Sequence, residues 1–478
     1  MGAQKIGLIA GPVVAGLMLL LGPPDGLDPA AWGTAALMVL MATWWATEAI
    51  PIPATSLLPL VVLPLIEAGT PRQVGADYAH YIVLLLLGGF IIAMGIERWD
   101  LHKRIALNVI ARVGAAPKAL IFGFMLATAM LSMWISNSAT TLMMMPIALS
   151  AAHALGDKSG KFSAALLLGI CYSASIGGVA TPIGTPTNLI AINWLQVEMG
   201  ASIGFPQWMA FGIPAAAVMI PIAWWAVTRG LPQLEGGHAV VQRVREQLRT
   251  LGRMTQPEFR AALVFGVVAL LWVSRLWTVD LIAAAGWTVP KGFNGAEVDM
   301  MIAIAGGVMM FIVPAGGGEK RALLSWEEAE RLPWGVLVLF GGGIALGNAV
   351  SRTGLSEWLG GHLSVMSSFP PILFIAVVVA LVIFLTELTS NVATMTTLAP
   401  ILGALAVAVG MAPESLLGPA AVAASCAFML PVATAPNAIV YSTGQVPIQT
   451  MMRKGLAINL IGIGVITAIG YWIAPLVL

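Results

Sequence analysis

The chain has 478 residues, of which 59% are hydrophobic and only 9% charged, whereas a soluble protein carries about 25% charged residues. At ~20 apolar residues per span there is room for about ten or eleven membrane crossings, which excludes a soluble enzyme and a receptor with a single anchor. The formal net charge of +1, without a long basic or acidic run, argues against nucleic acid as a partner.

From the N-terminus, the apolar run 6–21 follows Lys5 and ends in Gly22-Pro23-Pro24-Asp25 instead of a small-residue cleavage site. It is expected to stay as an extra first helix, with its connection occupying 1–30. Hydropathy and the Gly, Pro and charge punctuation then place spans near 5–21, 31–50, 54–68, 81–97, 162–196, 207–228, 261–277, 300–314, 334–351, 415–445 and 455–477. Two further apolar stretches, 119–151 and 371–409, carry polar triplets at their middles and read as re-entrant helical hairpins. With each hairpin entering and leaving on one side, 19 of the 23 Lys and Arg fall on the side of the N-terminus. The positive-inside rule makes that side cytoplasmic and leaves the C-terminus external, in a bilayer expected to be a bacterial inner membrane. The largest cytoplasmic loop, 229–258, carries five arginines and reads as an amphipathic linker. By contrast, the loop 278–299 sets Asp280, Glu297 and Asp299 against Lys291.

An internal repeat organises the chain. Ser136-Asn137-Ser138 recurs as Ser390-Asn391-Val392 and Pro146 as Pro400, both at an offset of 254. Gly88-Gly89 recurs as Gly341-Gly342, and Thr185-Pro186-Thr187-Asn188 as Thr434-Ala435-Pro436-Asn437. The halves are 31–228, with hairpin 119–151 and broken helix 162–196, and 259–478, with hairpin 371–409 and broken helix 415–445. Five spans in each half, an odd number, invert the second copy. Inverted repeats with broken helices are a ground plan of secondary transporters that bind near the bilayer midplane.

The repeated pieces are polar, and their chemistry suits ions. Ser and Asn are good helix N-caps, so each triplet marks a hairpin tip where a second half-helix begins. The N-terminal end of a helix carries roughly +0.5 of a charge, and two tips facing each other suit an elongated molecule with two negative groups. Prolines inside 162–196 and 415–445 free backbone carbonyls, which persist in a membrane only where they line a cavity or meet a ligand. Carbonyls with Ser, Thr and Asn oxygens form a hard-oxygen cage for an alkali cation, and the repeat predicts two cages.

Trp45-Ala46-Thr47-Glu48-Ala49-Ile50-Pro51-Ile52-Pro53, the Ser136-Asn137-Ser138 tip, 183–188 and 428–440 together resemble the divalent anion:sodium symporter family. The resemblance covers nearly the whole chain. It implies an all-α polytopic membrane protein, a homodimer of eleven-span protomers in which a transport domain moves against a scaffold by an elevator mechanism. It further implies sodium as coupling ion, with a first site at Ser132, Ser136, Asn137 and Gly184 and a second at Thr386, Thr389, Asn391 and Ala433. The anion would touch Asn137, Ser138, Thr185, Ser390, Asn391 and Thr434. Each triplet of the family usually ends in Thr; Ser138 keeps the hydroxyl and Val392 loses it. The function expected is sodium-coupled import of a C4-dicarboxylate such as succinate, malate or fumarate. A sodium-independent dicarboxylate exchanger, or a tricarboxylate or sulfate carrier of the same fold, stands beside it.

Nothing in the sequence points to an enzyme: no catalytic triad, paired-acid site or metal spacing is present. Cys171 and Cys426 sit in apolar stretches and read as packing residues. His80, His102, His153, His238 and His362 show no ligand spacing. Two carboxylates stand out, because a charge at a helix centre costs ~2.5–3.5 kcal/mol on insertion scales. Glu387 reads either as a carboxylate bonded to backbone donors in the broken hairpin or as a proton or sodium element. Glu48 reads as a cap or hinge contact at a helix end.

Overall fold

The computed structural model describes residues 2–156, 159–201, 203–232, 237–285, 297–356, 358 and 370–478; Lys291 and His362 lie outside them. Among the described residues, nine helices are long and apolar enough to cross a membrane, and the shorter apolar helices 52–65, 117–132 and 371–386 accompany them. These nine are not the eleven expected spans: 54–68 and 415–445 are interrupted, Glu297–Ile312 has 16 residues and Pro29–Thr47 is not among the nine, while the second helices of the two expected hairpins, Asn137–Leu155 and Asn391–Ala408, are.

The expected first helix is Ala3–Leu21. Pro29–Thr47 follows, started by Pro29 and by the Asp28 carboxylate accepting from Ala30 N at 2.8 Å. The expected span 54–68 is instead two short helices, Ile52–Thr55 and Leu58–Leu65, because Pro59, at the start of the second, brings no donor to the turn between them and its ring crowds the carbonyl four residues back. Pro71–Asp77, closed by a Thr70–Gln73 capping box, leads into Tyr81–Arg98.

Both expected hairpins are helix, break, helix. The first runs Pro117–Ser132 then Asn137–Leu155, and the second Pro371–Thr386 then Asn391–Ala408. Both expected broken helices are interrupted as well. Lys161–Gly178 is separated from Pro186–Met199 by residues 179–185, and Glu414–Ala424 from Ala435–Ser442 by residues 425–434.

The linker contains helix Gly237–Thr250, whose buried Val240, Val241 and Val244 face the protein, packing on Leu101–Arg112 and Asn137–Leu155. Among the described residues, one feature departs from an all-helical chain: Pro314–Gly316 pairs antiparallel with Glu319–Ala322. Gly316, Gly317 and Gly318 all take positive φ, which lets so tight a connection close.

Small residues set the distances between helices around the breaks. A Cβ on Gly177 would lie 2.5 Å from the Ala129 backbone, so the first hairpin presses directly on Lys161–Gly178. A Cβ on Gly455 would meet Phe428 O at 2.3 Å, which seats Ile448–Trp472 against the second break. Such contacts give dispersion and packing energy where lipid supplies no hydrophobic drive between helices. Gly177→Val should therefore push the hairpin off its neighbour and cost on the order of 1–3 kcal/mol, read as a lowered melting temperature in detergent.

Candidate functional site

The two tips and the two breaks come together around one cavity of about 700 Å³. Ser136, Asn137 and Ser138 line it from the first hairpin and Ser390, Asn391 and Val392 from the second, with 183–186 and 432–436 from the breaks. All six residues expected at the anion are on its wall. Four helices begin there: Ser136, Thr185, Ser390 and Thr434 are the N-caps of Asn137–Leu155, Pro186–Met199, Asn391–Ala408 and Ala435–Ser442, and all four line the cavity. Two positive helix ends were expected from the triplets, and the broken helices add two more.

Among the described residues lining the wall, Glu48 is the single charged one, and none is Lys, Arg or His. Its backbone is left-handed, at φ 47°, where it closes helix Pro29–Thr47. The sequence marked Glu48 as a helix-end contact and missed that the same turn delivers it to the cavity.

Behind the wall, the halves repeat the same bonds. The Ser132 hydroxyl lies 2.7 Å from both Asn137 Oδ1 and Ala174 O; the Thr386 hydroxyl lies 2.7 Å from Asn391 Oδ1 and 2.9 Å from Ala424 O. Ser132 and Thr386 are completely buried, so they hold the tip amides from the protein side and do not face the cavity. The Thr389 hydroxyl donates to Leu385 O at 2.9 Å and pairs with Thr394 at 2.6 Å.

The prolines alone suggested bare carbonyls; several carbonyls of the breaks are instead clasped by side-chain amides. Asn188 Nδ2 donates to Gly178 O at 3.0 Å and Thr181 O at 2.7 Å, and Asn437 Nδ2 to Ala427 O at 2.9 Å and Leu430 O at 3.0 Å. These paired clasps are positioning residues that the repeat at offset 249 could have revealed. In both clasps the amide oxygen, Asn188 Oδ1 or Asn437 Oδ1, is buried with no hydrogen-bond partner among the described residues.

The residues around the first tip suit sodium. A Cβ on Gly178 would come within 2.5 Å of Asn137 Oδ1 and 3.1 Å of Gly184 O, and one on Gly184 within 2.4 Å of Gly178 O. Three neutral oxygens thus converge where two glycines leave room. A donor set of hydroxyl, amide and carbonyl oxygens, without nitrogen or sulfur, matches a hard cation.

Glu387 takes the structural role. Three consecutive N–H groups, of Phe428, Met429 and Leu430, donate to its two oxygens at 2.8–3.1 Å, and Asn459 Nδ2 adds a fourth donor at 2.7 Å. The carboxylate is buried, and it ties the second hairpin, the second break and helix Ile448–Trp472 together.

By architecture this is a polytopic helical membrane protein with interrupted helices meeting at a polar cavity, the plan of a secondary transporter. Residues 3–478 match the sodium:sulfate symporter transmembrane region, and the chain belongs to that family, the divalent anion:sodium symporters that its motifs resemble. It is 41% identical over 490 residues to the sodium-dependent dicarboxylate transporter SdcS of Staphylococcus saprophyticus, covering 99% of this chain and 92% of that one. The SdcS protein of Staphylococcus aureus strain MRSA252 is 42% identical over the same length and coverage. Among solved structures, MtrF of Neisseria gonorrhoeae, described among antimetabolite efflux pumps, aligns with a TM-score of 0.61 at 15% identity over 96% of this chain and 97% of its own. The YdaH transporter of Alcanivorax borkumensis aligns at 0.60, again at 15% identity, over 93% and 98%. At that identity the two structures speak to the fold alone.

Replacing Glu387 by Met, the residue at the corresponding first-half position 133, should leave three backbone N–H groups and the Asn459 amide without an acceptor. At about 1–3 kcal/mol for each buried unsatisfied group, a loss on the order of 3 kcal/mol or more is expected in thermal unfolding. A wild-type melting temperature for Glu387→Met would show that the nest does not need its carboxylate.

Proposed function

We propose that the protein imports C4-dicarboxylates such as succinate, malate or fumarate by sodium symport across a bacterial plasma membrane. The observation that carries this reading is a cavity edged by four helix N-termini and two repeated oxygen clusters, with no fixed cation among the described residues of its wall. Such a cavity favours negative charge only partially, since each helix end contributes about half a charge. Two sodium ions bring the remaining positive charge and neutralise a dianion, so the anion and its coupling ions bind together better than either alone. The naming of the 41% identical relative as a sodium-dependent dicarboxylate transporter supports the same substrate class.

On this reading one sodium sits at Ser132, Ser136, Asn137 and Gly184 and the other at Thr386, Thr389, Asn391 and Ala433. The Asn137 and Asn391 amides serve ion and anion at once, which couples them. The dicarboxylate lies between the tips, touching Asn137, Ser138, Thr185, Ser390, Asn391 and Thr434. The halves 31–228 and 259–478 are inverted repeats joined by the linker 229–258, and the protein works as a homodimer whose hairpins and broken helices move against the scaffold as an elevator. The N-terminus is cytoplasmic and the C-terminus external. A third sodium per cycle would move net charge, at about 2.3 kcal/mol per charge per 100 mV.

Proteoliposomes test the reading with succinate, citrate, 2-oxoglutarate and sulfate under sodium, potassium or proton gradients. Succinate uptake driven by an inward sodium gradient is expected; one-for-one exchange without sodium would overturn symport. Asn137→Ala and Asn391→Ala should each reduce uptake at least a hundredfold in protein that still elutes as a folded species, and normal uptake would remove that residue from the site. Val392→Thr restores a hydroxyl to the cavity wall and should lower the KM for succinate relative to sulfate. An unchanged ranking of anions would mean that this position does not set selectivity.

A further inference from the structure

We infer that the protein holds an anionic phospholipid headgroup, recognised as a phosphate diester, in a groove between the end of helix Phe205–Thr228 and the start of helix Ile448–Trp472. The site is separate from the central cavity and does not depend on which anion is transported. The groove, about 700 Å³, is lined by Trp225, Arg229, Gln449, Arg453 and Lys454, with Ala226 and Ala457 forming its smaller walls. An adjoining hollow of about 280 Å³ shares Arg229 and Lys454 and adds Lys161.

Four cations are therefore gathered, with no Asp or Glu among the described residues lining either space. Among the described residues, none of the four joins an ion pair. Like charges collected without an acid repel one another, and an anion of matching size relieves that repulsion.

The groove also has a built geometry. Lys454 Nζ donates to Ala226 O at 2.7 Å and Arg229 O at 2.6 Å, fixing its ammonium at the carbonyl end of Phe205–Thr228. The Arg229 guanidinium lies 5.0 Å from the centroid of the Trp225 ring, and Trp225 is 46% exposed. Tryptophan beside arginine at a helix end marks the level of lipid headgroups, and a guanidinium offers the two parallel donors that a phosphate accepts.

The lipid source is favoured over free phosphate by what lies beyond the charges. Gln449, Arg453 and Ala457 recur every four residues on one helix face, and exposed Leu460 and Ile461 follow a turn further on. The groove thus leads from cations to an apolar flank, which an acyl chain covers and inorganic phosphate does not. Basic pockets between membrane helices are suited to such headgroups.

The full-length protein in neutral detergent is titrated with phosphatidylglycerol, with phosphatidylcholine of the same chains, and with inorganic phosphate, and bound lipid is counted by native mass spectrometry. Phosphatidylglycerol should be retained and phosphatidylcholine lost, with millimolar inorganic phosphate failing to displace the former. Arg229→Gln and Arg453→Gln should each weaken retention about fivefold, and Arg453→Lys should recover most of it. Lys161→Gln, at the edge of the groove, provides a third variant should either arginine be needed for folding. Equal retention of both lipids, or undiminished retention in the variants, would overturn the proposal. Displacement by inorganic phosphate would assign the groove to the free ion and overturn the lipid.

Discussion

A helix that stops inside an apolar protein leaves backbone donors and acceptors that water cannot reach, and this chain stops four helices around one cavity. Each unmade hydrogen bond there costs the full desolvation of the group, so the architecture depends on partners supplied from elsewhere. Asn188 and Asn437 hold the carbonyls of the two breaks, Ser132 and Thr386 hold the tip amides, and Glu387 collects the N–H groups of the second break. Without these side chains the interruptions that open the cavity would be too costly to keep.

The halves solve the same problem unequally. In the first, the turn after Gly178 continues locally: Val179 N bonds Ile176 O at 3.2 Å and Ala180 N bonds Gly177 O at 3.0 Å. In the second, the helix ends at Ala424, three residues before the position equivalent to Gly178, and the N–H groups of 428–430 have no such carbonyls. A carboxylate stands at 387, in the half that lacks local acceptors, while the first half has Met133 at the matching place. The same half loses the cavity hydroxyl, Val392 for Ser138, and has Ala427 and Ala433 where the first has Gly178 and Gly184. The two oxygen clusters are related in bonding and differ in chemistry.

Electrostatics follow from that arrangement. The cavity takes its positive character from backbone ends, while no described arginine or lysine lines it and the group around Arg229 stands in a separate groove. Partial charges at helix ends cost less to bury than a lysine, and on the proposed reading a mobile cation completes them, so that ion and anion bind conditionally on each other. Glu48, the one charge among the described residues of the wall, is negative, which disfavours an anion and favours the cation side of that balance.

Much of this was present in the sequence. Composition determined a polytopic membrane protein, and the repeated Ser-Asn triplets and Pro-Asn motifs marked both tips and both breaks, because in an apolar chain a polar triplet or a proline has few other uses. Family motifs named the residues expected at the anion, and all six line the cavity. The sequence could not say that Pro59 would split 54–68, that three consecutive glycines would fold 314–322 into a strand pair, or that the amides of Asn188 and Asn437 would be spent on clasping carbonyls. Nor could it choose between the two roles open to Glu387, or bring Glu48 from a helix end to the cavity. Each of these depends on which distant backbone groups arrive beside a side chain, with 41 residues between Glu387 and Phe428 and 72 between Glu387 and Asn459. Residue type fixes what a side chain can bond, and only the packed helices decide which partner lies within 3 Å.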